Sequence, residues 1–280
     1  MKDIVVLYHK NCPDGFGAAF AAWKKFGGKA EYKGVFHTDP VVEGLVDKEV
    51  YCVDFCYPEE VMRALVIKNK KVVVLDHHVS LERAIKSVPE HRYALDHSGA
   101  VLAWTYLHPE KKVPWLLRYV EDVDLWKFKL RETNEAMAFV ELHEYGFAVW
   151  DKLAALFDDR KKREECMEKG RLLLLYKRHI IKSIIEKCKV LVEFEGYKIF
   201  AVNSSKFNSD IGAALYKERP PVGIVWEQIG DTFGISLRSD GTVDVAEIAG
   251  KYGGGGHKAA SRFHIPVKKG FPWKIIDWKK

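Results

Sequence analysis

The sequence predicts an α/β fold. A mostly parallel, doubly wound sheet forms the N-terminal domain, a helical linker follows, and a smaller α+β domain ends the chain. Three observations lead there. Short β-branched runs alternate with helix-like segments through the first half, as in βαβ winding. Three of those runs end in an acid or a histidine. After a helical stretch poor in proline, strand patterns return in the last third.

The elements follow in order. Ile4 to His9 (IVVLYH) reads as a buried parallel strand, because an uninterrupted apolar run suits a strand covered on both faces. Gly15 to Phe26 reads as a helix lying close on the sheet, ended by Gly27-Gly28. A second strand is expected over Ala30 to Phe36 and a third over Val50 to Asp54. Pro58 to Ile67 reads as a helix opened by Pro58 and Glu59. Val72 to Leu75 is a strand running into Asp76-His77-His78. Tyr93 to Asp96 is read as a short fifth strand, and Ser98 as the cap of a helix reaching Leu107.

Trp150 to Cys188 carries apolar residues at helical spacing and reads as one or two long helices. Its charged run, Asp158 to Glu165, is expected to be a solvated face. Strand patterns return at VLVEF, KIFAVN, VGIVWEQI and TFGISLRS, followed by Gly253-Gly254-Gly255-Gly256-His257 and a short helix-like tail. The expected domains are 1–150, a helical linker 151–189, and 190–280.

Composition narrows the function classes. The chain has 280 residues, 48% of them hydrophobic, which supports real cores. No run of 18 apolar residues is present, so no membrane partner is expected. Met1-Lys2-Asp3 lacks the pattern of a signal peptide, and a cytoplasmic protein is the expectation. Five scattered cysteines make no disulfide framework. Cys52 and Cys56 lack the second pair that a structural zinc site needs. A net charge of +6 is compatible with a phosphate-bearing partner.

The chemistry sits at the strand ends. In open α/β sheets, ligands bind beyond the carboxyl ends of the strands. Here those ends carry His9, Asp14, Asp54, Asp76, His77 and His78, and Glu-Asp-Val-Asp-Leu-Trp follows at 121–126. Carboxylates and imidazoles that converge suit Mn²⁺ or Mg²⁺. Taken singly, Asp14 or Asp76 is as well explained as a helix cap. Taken together, three strands ending this way point to a metal site. His37, His91, His97, His108, His143 and His179 have no comparable context and read as surface or core residues. Most of the tryptophans read as core, with Trp126 the exception because of its acidic neighbours. Gly253 to His257 lets backbone amides approach an anion, and Arg238 stands at a strand end where it could fork a phosphate.

These residues, in this order, resemble the DHH phosphoesterase superfamily with its DHH-associated C-terminal domain. His9 to Gly17 resembles the first motif, Asp54 the second, Asp76-His77-His78 the third and naming motif, and Asp122 the fourth. Ser236-Leu237-Arg238-Ser239 and Gly253 to His257 resemble the substrate-binding motifs of the C-terminal domain. The resemblance implies a manganese-dependent phosphoesterase with two ions, Mg²⁺ or Zn²⁺ being alternatives, and substrate between the domains. His9 and Asp54 would hold one ion. Asp14, Asp54, His77 and Asp122 would hold the other, with Asp54 bridging. Asp76 would support the site and His78 would face the scissile phosphate. Arg238, Gly254, Gly255, Gly256 and His257 would bind substrate. Asp122 is preferred to Asp124 because Trp126 then falls where the family has an aromatic.

One position departs from the pattern. Cys12 stands where the first motif has its earlier Asp. Either its thiolate ligates and biases the site toward Zn²⁺ or Fe²⁺, or it does not ligate and water or Asn11 fills the gap. The expected activity is hydrolysis of phosphate esters in short single-stranded oligonucleotides or small nucleotides. The alternative is a catalytically impaired scaffold or nucleic-acid-binding relative. A homodimer is compatible with either.

Overall fold

The computed structural model describes residues 1–278. The chain divides after Leu174 into two compact units, so the boundary falls inside a long helix. The helical segment set apart in the sequence is shared: Cys166 and Met167 are buried in the core of the first unit.

The first unit begins with β1 (Ile4–His9), α1 (Pro13–Phe26), β2 (Ala30–Val35), β3 (Glu49–Val53), α2 (Glu59–Lys68), β4 (Lys71–Asp76), α3 (Glu82–Lys86) and β5 (Glu90–Tyr93). It continues through α4 (Gly99–Leu107), α5 (Trp115–Asp124), α6 (Thr133–Val140), α7 (Phe147–Asp158) and the first half of α8 (Arg160–Cys188). The strand order is β2-β1-β3-β4-β5, and every pairing is parallel. Side chains alternate across the sheet, and both faces are covered. Val6, Tyr51, Val53, Val73 and Leu75 face α1, α4, α5 and α7. Val5, Leu7, Val50, Cys52, Val72 and Val74 face α2 and α3. Each such side chain contributes roughly 1.5–3 kcal/mol on burial, which is why these strands are apolar throughout. The order reverses between β1 and β3, and a doubly wound sheet opens its ligand crevice at that point.

The second unit contains β6 (Lys189–Phe194), β7 (Tyr197–Asn203), α9 (Asn208–Glu218), β8 (Val222–Ile229), β9 (Thr232–Ser239), α10 (Val245–Gly250), β10 (Gly255–His257), β11 (Ala260–Pro266) and β12 (Lys274–Trp278). These strands form one mixed sheet, ordered β10-β11-β9-β8-β7-β6-β12. Its core holds Val192, Phe194, Ile224, Leu237 and Phe263.

Two local expectations change. The fifth strand is Glu90–Tyr93, just before the predicted Tyr93 to Asp96, because Val73 to Asp76 of β4 pair with Glu90 to Tyr93. The C-terminal tail is strand, not helix: β11 pairs with β9 and β12 with β6. Short apolar runs have no period long enough to tell the two apart, and the open sheet edges decide it. The charged run after α7 is exposed as expected. Among the described residues no helix is long and apolar enough to cross a membrane.

Candidate metal centre

The residues that converge come from strand ends and helix ends on one side of the first sheet. His9 closes β1, and Cys12 is the N-cap of α1. Asp14 lies in the first turn of α1 and is fully buried. The N-terminus of α4 holds it: the Gly99 amide donates to Oδ2 at 2.6 Å and the Ala100 amide to Oδ1 at 3.0 Å. Unpaired amides and the helix dipole favour a carboxylate there, and Ser98 caps the same helix.

Asp54 follows β3 and is the centre of the group. Its backbone is left-handed, with φ of 51°, a conformation that non-glycine residues hold mainly where surrounding structure enforces it. The Asp54 amide donates to the Leu75 carbonyl at 2.8 Å. Only glycine fits at position 99, where a Cβ would lie 2.6 Å from Asp54 Oδ1. The carboxylate is 1% exposed, and neither oxygen has a hydrogen-bond partner. His77 Nε2 stands 3.3 Å from Oδ1 and His9 Nδ1 stands 3.7 Å from Oδ2. Burial acts against the Asp54 charge, but the imidazoles of His77 and His9 outweigh it, and the carboxyl falls to about 2.

Two donor sets flank Asp54. His9, Cys12 and Asp54 each offer a ligand atom, all within 4.8 Å of one another, and so do Asp14, His77 and Asp124; a third such group, Asp54, Asp76, His77 and His78, overlaps both. His77 Nε2 is 3.6 Å from Asp14 Oδ2 and 3.4 Å from Asp124 Oδ2. Burial and the Asp54 carboxylate raise both Asp14 and Cys12, and burial also raises Asp124. The buried, unpartnered Asp54 carboxylate beside the acids Asp14 and Asp124 is unfavourable without a cation, so these donors fit divalent metal ions.

Asp76 has a different task. Its Oδ1 accepts the His77 amide at 2.6 Å and the His78 amide at 3.1 Å, and it stands 2.7 Å from His78 Nδ1. The Asp76 bond raises the His78 pKa above its ordinary value.

At the fourth acidic position the geometry differs from the sequence expectation. Asp122 does not enter either donor set. Its carboxylate accepts the Lys129 amide at 2.8 Å, the Leu130 amide at 3.1 Å and the Thr133 hydroxyl at 2.5 Å. It builds the loop after α5, while Asp124 reaches His77.

In the second unit, register lines up the candidate binding residues. His257 pairs with Ala260, and Ala260 pairs with Arg238, so the three share one face across β10, β11 and β9. The Arg238 guanidinium donates to Ser209 Oγ at 2.9 Å and to the Leu237 carbonyl at 2.8 Å. Burial and the nearby Arg262 lower its pKa. The glycine run is a hairpin edge, not a linker. The amides of Gly253 and Gly254 donate to the carbonyls of Gly250 and Ala249, so both are engaged within the chain. Gly255 and Gly256 pair with Arg262 and Ser261.

No family model matches the chain. Among curated proteins, an uncharacterized protein of Acanthamoeba polyphaga mimivirus is 28% identical over 98% of this chain and 70% of its own length. Oligoribonuclease NrnB of Bacillus subtilis is 24% identical over 91% of this chain and 71% of its own length. Among solved structures, the DHH domain of a member of a ribosomal protein family aligns with 98% of this chain and 83% of that chain, with TM-score 0.56 and 15% identity. The chain shares the fold of that domain. Two other structures share it at TM-score 0.52. A pGpG-specific phosphodiesterase, PggH of Vibrio cholerae, aligns with 96% of this chain and 95% of that chain at 17% identity. RecJ of Thermus thermophilus, in complex with Mn²⁺, aligns with 95% of this chain and 50% of that chain at 14% identity.

Of the residues put forward from the DHH motifs, the fold brings His9, Cys12, Asp14, Asp54, Asp76, His77 and His78 together. It keeps Asp122 out and admits Asp124. Sequence reasoning passed over His37, whose ring lies 5.3 Å from His9 and 5.8 Å from His78 and stacks on Phe55. The signal was available: His37 lies just beyond β2, the parallel neighbour of β1, so it too is at a strand's carboxyl end.

Proposed function

We propose that this chain is a divalent-metal-dependent phosphoesterase acting on short single-stranded oligonucleotides or small nucleotides. The single observation that carries the reading is Asp54, a buried carboxylate with both oxygens unpartnered between two donor sets. The names of NrnB and PggH, borne by a relative and a fold neighbour, agree with a nucleotide substrate.

His9, Cys12 and Asp54 would hold one ion, and Asp14, Asp54, His77 and Asp124 the other. Mn²⁺ suits the set of Asp14, His77 and Asp124, whose donors are carboxylates and an imidazole. Ions bound there would supply charge to neutralise the phosphoryl oxygens and would lower the pKa of a nucleophilic water. The protein's own groups do the rest. Asp76 engages His78 at Nδ1 and leaves Nε2 as the ring nitrogen that can carry a proton to a phosphate or leaving oxygen. The bond fixes the ring's orientation and favours the protonated form. His37 adds a third imidazole on the same side. Trp126, 79% exposed at the end of the acidic motif, offers a face for a nucleobase. Arg238 and His257 supply cationic and hydrogen-bonding groups for a phosphate.

The test is a substrate panel of dinucleotides, five-residue RNA and DNA, phosphoadenosine phosphate, cyclic dinucleotides and pyrophosphate, each with Mn²⁺, Mg²⁺ and Zn²⁺. Metal-dependent release of mononucleotides or phosphate from a nucleotide substrate is expected. Absence of turnover with every substrate and ion would leave the scaffold reading in its place.

A further inference from the structure

The two donor sets differ in chemistry. Asp14, His77 and Asp124 offer two carboxylates and one imidazole, whereas His9, Cys12 and Asp54 offer an imidazole, a sulfur and a carboxylate. Hard oxygen-rich sites suit Mn²⁺ or Mg²⁺, and thiolate selects softer or borderline ions.

Cys12 is a poor choice for its structural position, where only the amides of Asp14 and Gly15 face its sulfur. It occupies the N-cap of α1 with extended backbone, φ −125° and ψ 135°, yet its side chain makes no cap bond. Serine, threonine, aspartate or asparagine would cap that helix better, by roughly 0.5–2 kcal/mol over an apolar residue. It forms no disulfide and is partly exposed, unlike the buried Cys52, Cys56 and Cys166. A second, independent observation points to a ligand at this place. The buried Asp54 carboxylate, aimed into the same group, has no partner for either oxygen.

We propose that Cys12, as a thiolate, is a ligand of one of two unlike metal sites, and that with His9 and Asp54 it selects zinc, cobalt or ferrous iron over manganese. Three protein ligands leave an open position for water or substrate, as catalytic zinc sites do. The proposal rests on the metal-dependent reading above and sharpens it: the centre takes two different metals, one site soft and one hard.

The test uses the full chain, stripped of metal and titrated with Co²⁺, and reads absorption. Bound cobalt shows visible ligand-field bands, and a sulfur ligand adds a charge-transfer band in the near ultraviolet. The wild type is expected to show both. Cys12→Ser and Cys12→Asp should keep the visible bands and lose the near-ultraviolet band, and Cys188→Ala should keep both, which excludes the exposed thiol. In competition between Zn²⁺ and excess Mn²⁺, followed by elemental analysis, Cys12→Asp should lose zinc from one site at a lower Mn²⁺ excess than the wild type. Wild type that binds cobalt with visible bands and no charge-transfer band would overturn the role of Cys12 and leave the phosphoesterase reading standing. Wild type that binds no divalent ion would overturn both.

Discussion

The Asp124 carboxylate stands 3.4 Å from the His77 imidazole, while Asp122, two residues earlier, points into the loop it organises. Separate outcomes are expected for the two. Asp124→Ala should remove metal-dependent activity and metal-induced stabilisation, with little change in the melting temperature of the metal-free protein. Asp122→Ala leaves three donors unsatisfied and should cost on the order of 3 kcal/mol in stability. Denaturant melts of the metal-free variants and metal titrations of each would show the split. Equal loss of metal binding in both would return Asp122 to the site.

Asp54 belongs to the set with His9 and Cys12, and its carboxylate also stands 3.3 Å from His77 of the other set. Asp54→Ala is expected to abolish turnover. It should also abolish the rise in melting temperature on adding Mn²⁺. In the wild type, that rise corresponds to about 2.7 kcal/mol when the metal is at a hundred times its dissociation constant, and chelation should reverse it. Differential scanning calorimetry with and without chelator makes the measurement. Near-normal activity in Asp54→Ala would end the dinuclear reading.

Trp126 and Phe128 form an edge-to-face pair, with ring centroids 4.9 Å apart, and both have left-handed backbones. The Asp122 carbonyl accepts the amides of Lys127 and Phe128 and holds that shape. A stacked base is worth about 1–3 kcal/mol, so Trp126→Ala should raise KM for a nucleotide substrate by roughly five- to a hundredfold. Its kcat should change little, and turnover of a base-free phosphate should be unaffected. Steady-state kinetics on the two substrate classes separate these cases. An unchanged KM for nucleotides would remove Trp126 from the substrate site.

Arg238 lays its side chain against Gly212 of α9, where an added Cβ would come within 2.7 Å of the arginine Cγ. Arg238→Ala should raise KM more than it lowers kcat, and Gly212→Ala, which displaces the guanidinium, should do the same more weakly. A fall in kcat with unchanged KM would place Arg238 in the chemical step instead.

Much of this protein is legible in its sequence because the information is local. The runs at Ile4, Val50 and Val72 announce buried parallel strands, and the acid or histidine at the end of each marks the ligand edge. Ser98 is readable as a cap, and the Asp76-His77-His78 turn as a unit. The separate identity of Asp122 and Asp124 is not local. Two residues on a helix of 3.6 residues per turn point about 200° apart, and spacing alone cannot tell which direction the site occupies. The packing of α5 beside α1 and α4 decides it.

The sequence by itself determined the fold class, the metal-type donors and the odd cysteine. Tertiary structure decided three further things: Cys12 meets His9 and Asp54, His37 joins His9 and His78, and the tail pairs as strand. The physical reason is the same each time. Those outcomes depend on which chain segments the sheet order brings side by side, and the hydrophobic pattern of any one segment carries no record of its neighbours.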